Sequence, residues 1–81
     1  MRPFESLDDF PLEAHWMRRV NSDHVIAIGE LKDDGVVDRD ASNRPVLLKW
    51  SYLANHYEFY LNKAWRPFAN ISKTTNQTNE D

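Results

Sequence analysis

The sequence predicts a small α+β domain with the element order α-β-β-α, in which a β-hairpin packs with one short and one long helix. Three observations lead to this fold class. The chain has 81 residues, enough for one domain. A β-branched segment followed by Asp-Gly predicts the hairpin, and apolar residues at helical spacing between residues 46 and 65 predict the long helix. The predicted domain covers residues 1–71.

Composition excludes several classes of protein. The chain has no cysteine, so neither a disulfide nor a cysteine-ligated zinc site can hold the domain together. Ten basic and thirteen acidic side chains give a formal net charge of −3, which opposes binding of nucleic acid over the whole surface. Residues 72–81 contain no apolar side chain, and they are therefore predicted to form a disordered tail.

The sequence is expected to be cytoplasmic and to make no membrane contact. No apolar segment approaches the roughly 20 residues that a membrane-spanning helix needs. The first five residues are not followed by the apolar run of a secretory signal.

A short helix is predicted over about residues 10–19. Residues 6–9 (Ser-Leu-Asp-Asp) have the form of a capping box, with Asp in place of the usual Glu. Phe10, Ala14 and Met17 recur at steps of four and three, so they would form one apolar face. This face is expected to cover a sheet or another helix.

A β-hairpin is predicted over about residues 24–39. Its first strand is short, apolar and rich in β-branched residues, and polar residues bound it on both sides. Asp34 and Gly35 suit the two central positions of the turn, because both positions need positive φ. Val36 and Val37 then begin the returning strand.

The segment from Val46 to Trp65 can be interpreted in two ways. As strands, residues 46–52 and 57–61 would form a pair around a turn at 54–56, and the abundance of aromatic residues favours this choice. As a helix, the segment has apolar residues at alternating steps of four and three: Val46, Trp50, Leu53, Tyr57, Tyr60 and Ala64. The unbroken period favours the helix. The alternative fold is mostly antiparallel β with one N-terminal helix.

The predicted helix leaves a second apolar face opposite the first, formed by Leu48, Tyr52 and Phe59. A chain this short has little left to cover two faces, although the hairpin and the first helix could together cover both. If they do not, these three residues are expected to bind another protein or a second copy of this chain, since aromatic residues are enriched at binding hot spots.

The same helix suggests an alternative, nucleic-acid binding. Four residues would lie beside its aromatic rings as a basic surface: Lys49, His56, Lys63 and Arg66. Cations next to rings suit single-stranded nucleic acid, which needs phosphate neutralisation and base stacking. The acidic charge of the whole chain opposes this alternative.

No pattern in the sequence indicates catalysis or metal binding. The histidines His15, His24 and His56 do not share a predicted element at a metal-ligand spacing, and no serine lies in a G-x-S-x-G motif. With only two glycines, no phosphate-binding loop can form. We therefore expect a regulatory, adaptor or inhibitor protein that is not an enzyme and uses no cofactor.

Overall fold

The computed structural model describes residues 2–70, which form nine short strands, one 3₁₀ turn and one α-helix. The strands are β1 (Arg2–Pro3), β2 (Trp16–Arg19), β3 (Ile26–Ala27), β4 (Glu30–Lys32), β5 (Gly35–Arg39), β6 (Pro45–Lys49), β7 (Tyr57–Leu61), β8 (Ala64–Pro67) and β9 (Ala69–Asn70). The 3₁₀ turn is Leu7–Asp9 and helix α1 is Trp50–His56. The predicted disordered tail, residues 72–81, lies outside the described residues.

The strands form three antiparallel groups. One sheet has the order β3-β2-β7-β8, another has the order β4-β5-β6, and β1 pairs with β9. Only residues 28 and 29 separate β3 from β4, so a single stretch of chain passes from the first sheet to the second. The fold is α+β in the broad sense, but its antiparallel strands and single α-helix are closer to the alternative prediction. The predicted order α-β-β-α is wrong.

Both sheets and α1 contribute to one aromatic core. Its rings lie 5.0–6.5 Å apart between centroids, and they belong to Phe4, Phe10, Trp50, Phe59 and Phe68. Met17, Val36 and Leu53 are fully buried among them. The indole N–H of Trp50 donates to the backbone carbonyl of Asp33 at 2.7 Å. This bond satisfies the one polar atom of a buried ring.

The helix predicted over residues 10–19 is wrong. Its proposed capping segment does cap, but it caps the 3₁₀ turn, where Ser6 Oγ accepts the N–H of Asp8 at 3.3 Å. The chain then leads into β2, which pairs with β3 on one side and β7 on the other. Residues distant in sequence therefore supply the hydrogen bonds that make this segment a strand.

The apolar residues of that predicted helix nevertheless reach the core. Phe10, Ala14 and Met17 are all buried. Met17 reaches the core from the inner face of β2, while Phe10 and Ala14 lie in the irregular chain that precedes this strand. Three apolar positions within a short window fit either a helix or an irregular segment that leads into a strand. Their spacing therefore predicted that they are buried, but it predicted the wrong type of secondary structure.

The predicted β-hairpin is present in part, with its turn one residue earlier than expected. Its predicted first strand divides, because Ile26–Ala27 (β3) pairs with β2 and only Glu30–Lys32 (β4) pairs with β5. In the pairing of β4 with β5, Lys32 lies opposite Gly35, so Asp33 and Asp34 occupy the turn. Gly35 opens β5 with a φ of 157°. A Cβ atom added there would collide with the backbone carbonyl oxygen of Leu48 in β6. Glycine is therefore required here by the close approach of β6.

The long helix predicted from Val46 to Trp65 is wrong as well. Strand β6, helix α1 and strands β7 and β8 occupy this segment. Trp50 and Leu53, from the predicted apolar face, are buried, whereas Val46 and Tyr60 of the same face are exposed. Pairing of β6 with β5 and of β7 with β2 overrides the helical period, as the aromatic and β-branched composition of the segment favours.

Strands β7 and β8 are joined by a tight turn, and Lys63→Gly is expected to stabilise it. Asn62 and Lys63 have positive φ of 53° and 65°, as a type I′ turn requires. Glycine would remove a backbone strain of about 1–2 kcal/mol. Part of this gain is lost, because glycine also gives the unfolded chain more conformational freedom. We expect the free energy of unfolding in urea to rise by roughly 0.5–1 kcal/mol. Lys63→Ala retains the Cβ atom, and an equal gain in that variant would contradict the explanation.

Candidate functional site

Strand β6 lies at an edge of its sheet. Within the described part of the chain it pairs only with β5. Val46 and Leu47 are 39% and 40% exposed. Because consecutive residues of a strand point to opposite faces, apolar surface is uncovered on both sides of β6. An edge strand of this kind is a ready template for pairing with another chain.

An open groove of about 420 Å³ lies where β6 runs into α1. It is lined by Val46, Leu47, Leu48, Lys49, Ser51 and Tyr52, and is termed the β6 groove below. Most of these residues are apolar or aromatic, and Lys49 is the only one of the six with a charge. The groove thus offers an apolar surface with a single cation.

Tyr52 is held in position by aromatic and cationic neighbours. Its ring centroid lies 4.4 Å from that of His56 and 6.3 Å from that of Tyr57. The guanidinium carbon of Arg19 lies 5.3 Å from the centre of the Tyr57 ring. The side-chain interaction of Arg19 with Tyr52, followed by that with Tyr57, raises the pKa of Arg19. Tyr52, His56, Tyr57 and Arg19 therefore form a cluster beside the groove.

The structure brings together two of the three residues predicted to bind a partner. Leu48 and Tyr52 both line the β6 groove. Phe59 is only 3% exposed and packs in the core, with Met17 opposite it on β2. Its predicted exposure is wrong, because Phe59 belongs to a strand whose alternate residues face the core. Partner binding by Leu48 and Tyr52 stays a prediction.

The four residues predicted to bind nucleic acid lie on four different parts of the fold. Lys49 ends β6, His56 ends α1, Lys63 lies in the turn after β7, and Arg66 lies in β8. The whole of β7 separates His56 from Lys63, a span of roughly 16 Å at 3.3 Å per residue. Arg66 Nε also donates to the carbonyl of Leu61 at 2.9 Å. Nucleic-acid binding by these residues stays a prediction.

A second exposed surface, which the sequence interpretation missed, lies on the outer face of the four-stranded sheet. Trp16 lies opposite Tyr60, and Tyr60 lies opposite Trp65, so the three rings follow one another across β2, β7 and β8. Trp16 is 49% exposed and Tyr60 38%. With Val25 they line an open depression of about 390 Å³. The three rings together with Val25 are termed the aromatic row.

The charges next to the aromatic row neutralise each other. Arg18 and Glu58 lie opposite one another on β2 and β7, and Arg18 Nε lies 2.6 Å from Glu58 Oε2. The guanidinium carbon of Arg18 is also 4.0 Å from the centre of the Trp65 ring. The alternation of Trp16 with Arg18, and of Glu58 with Tyr60, is the sequence signal that could have revealed this face.

The fold and its surfaces define a small antiparallel β domain with two uncovered apolar areas. Comparisons with protein-family models, with curated proteins and with solved structures gave no match for this chain. Across residues 2–70, no helix has the length and apolar character to cross a membrane. In the same part of the chain, the histidine and acidic side chains form no group of three that could hold a metal ion.

Proposed function

We propose that this chain is a small non-enzymatic protein-interaction module, of the regulatory, adaptor or inhibitor kind, that binds another protein in the β6 groove. One observation carries the proposal: Val46 and Leu47 leave apolar surface uncovered on both faces of an edge strand. Contiguous exposed apolar surface of this kind is typical of interaction sites.

The groove suits an extended segment of the partner. Such a segment would add a strand beside β6, where backbone hydrogen bonds supply affinity and the groove selects alternate side chains. Tyr52, which packs beside His56 and Tyr57, would serve as the aromatic anchor of the groove. Lys49 favours an acidic residue at the matching position of the partner, with an effect mainly on the association rate.

Nucleic-acid binding is less well supported. Its four candidate residues lie apart, and the chain carries a net charge of −3. Arg18, whose guanidinium carbon lies 4.0 Å from the centre of the Trp65 ring, is already paired with Glu58. Binding to a random oligonucleotide that weakens steeply with salt would favour this alternative over the β6 groove.

A peptide-display selection tests the proposed function. Peptides selected on the 81-residue chain are expected to shift the backbone NMR resonances of β6 and α1. Leu47→Glu is expected to weaken their binding about tenfold or more, because it replaces an apolar side chain of the groove with a charged one that a bound peptide would have to desolvate. Leu12→Glu is the matched control, since Leu12 is 64% exposed and does not line the groove.

Two results would contradict the proposal. One is a set of selected peptides that leaves the β6 resonances unshifted. The other is equal affinity of the Leu47→Glu and Leu12→Glu variants for the same peptide.

A further inference from the structure

The outer face of the β3-β2-β7-β8 sheet lacks a covering layer in the described residues. A sheet is stable when its apolar face is packed against another layer. The inner face meets this need, since Met17 and Phe59 lie in the core. The outer face instead presents the aromatic row, with Trp16 and Tyr60 partly open to solvent. Aromatic residues remove large areas from water when they are covered, so packing a partner on this face would be favourable in hydrophobic free energy.

We propose that the aromatic row is a self-association surface, on which the same face of a second copy of this chain packs. The inference is independent of the β6 groove, because it rests on β2, β7 and β8 and on Val25. Related by a two-fold axis, the two sheets would pack about 10 Å apart, with the rings of each copy against those of the other.

The charge pattern favours a second copy as the occupant. The aromatic row itself carries no charge, and the neighbouring Arg18–Glu58 pair is neutral as a unit. Two such faces meet without like-charge repulsion, and the two-fold axis can bring Arg18 of one copy near Glu58 of the other. A polyanionic ligand is disfavoured, because Arg18 already forms an ion pair with Glu58.

Residues 71–81 of this sequence do not have the composition of an apolar cover. They contain one apolar residue, Ile71. Ten polar or charged residues would leave the rings of Trp16 and Tyr60 against hydrophilic side chains, which gains little hydrophobic free energy. A second aromatic row supplies the complementary apolar surface that these residues lack.

Sedimentation velocity of the full chain, from micromolar to near-millimolar concentration, tests the proposal. We expect a monomer–dimer equilibrium, and Val25→Glu is expected to raise its dissociation constant about tenfold or more. Val20→Glu is the matched control, because Val20 and Val25 are 45% and 44% exposed but only Val25 belongs to the aromatic row. Val20→Glu and Leu47→Glu should each leave the constant within about twofold of the unsubstituted chain.

Tryptophan fluorescence gives a second measurement that needs no substitution. Trp16 and Trp65 lie in the row, whereas Trp50 is buried in the core. Acrylamide quenching of the unsubstituted chain should therefore decrease as its concentration rises. A monomer at every concentration, or equal loss of dimer in the Val20→Glu and Val25→Glu variants, would overturn the proposal. Retention of the dimer in Leu47→Glu separates this surface from the β6 groove, so each proposal can fail without the other.

Discussion

Phe68→Ala is expected to remove a large part of the stability of the protein. Phe68 is completely buried, and its ring centroid lies 5.0 Å from that of Phe59 and 5.7 Å from that of Phe10. Removing a buried phenylalanine ring costs about 3–5 kcal/mol, since the lost apolar contacts leave a cavity. For 81 residues the total stability is roughly 4–12 kcal/mol, with small domains toward the lower end.

Urea denaturation followed by near-ultraviolet circular dichroism measures this effect directly, because the core is aromatic. The control is Leu12→Ala, at a position that is 64% exposed, where the free energy of unfolding should change by less than about 0.5 kcal/mol. A Phe68→Ala variant with the denaturation midpoint of the unsubstituted protein would contradict the placement of Phe68 at the centre of the core.

Gly35→Ala is expected to have the second largest effect, by separating β5 from β6. The φ of Gly35 is 157°, which side chains rarely adopt, and the new methyl group would collide with the backbone carbonyl oxygen of Leu48. Backbone strain of this kind costs about 1–3 kcal/mol, and the collision adds to it because a backbone atom cannot move aside alone. The free energy of unfolding should therefore fall by roughly 2–4 kcal/mol.

Amide hydrogen exchange should show where Gly35→Ala acts. Protection is expected to fall first in β5 and β6, while β2 and β7 lose less. Asp34→Ala, one residue earlier in the chain, is the control: Asp34 is exposed, and its backbone carbonyl, which the substitution retains, accepts the N–H of Trp50. Equal loss of protection in the two variants would show that the conformation of the turn, rather than the close approach of the Leu48 carbonyl, is the reason why glycine is needed at position 35.

The two proposed surfaces lie on different sheets, so both could be used at once. The β6 groove belongs to the three-stranded sheet, and the aromatic row belongs to the four-stranded one. A dimer formed through the aromatic row would carry two β6 grooves. Such a dimer would bind a partner with two matching segments more tightly than a monomer does, without any new contact, because the second binding step becomes intramolecular.

Several features of the fold could be predicted from local sequence. The turn between β4 and β5 and the returning strand β5 follow from the small and acidic residues at 33–35 and from the two valines after them, whereas the β-branched run before them forms β3 in the other sheet. The burial of Phe10, Ala14 and Met17 follows from their apolar character. The capping role of Ser6 follows from its hydroxyl and from the acidic residues after it. Each depends on residues close together in the chain.

The candidate site depended on information that local sequence does not contain. Leu48 and Tyr52 were predicted as an exposed pair, and they line the β6 groove, although they lie on a strand and a short helix. Phe59 was placed on the wrong side of the molecule, because its direction depends on the register of β7 against β2. The aromatic row was missed for the same reason, since Trp16, Tyr60 and Trp65 become neighbours only through that register.

The sequence by itself determined which side chains are apolar enough to be buried, that a hairpin turn forms close to Asp34, and that no disulfide stabilises the chain. Only the tertiary structure decided that residues 46–65 become strands around a short helix. The physical reason is the range of the interactions. Hydrophobic spacing acts between near neighbours and fits a helix over this segment, whereas pairing of β7 with β2 joins residues about forty positions apart.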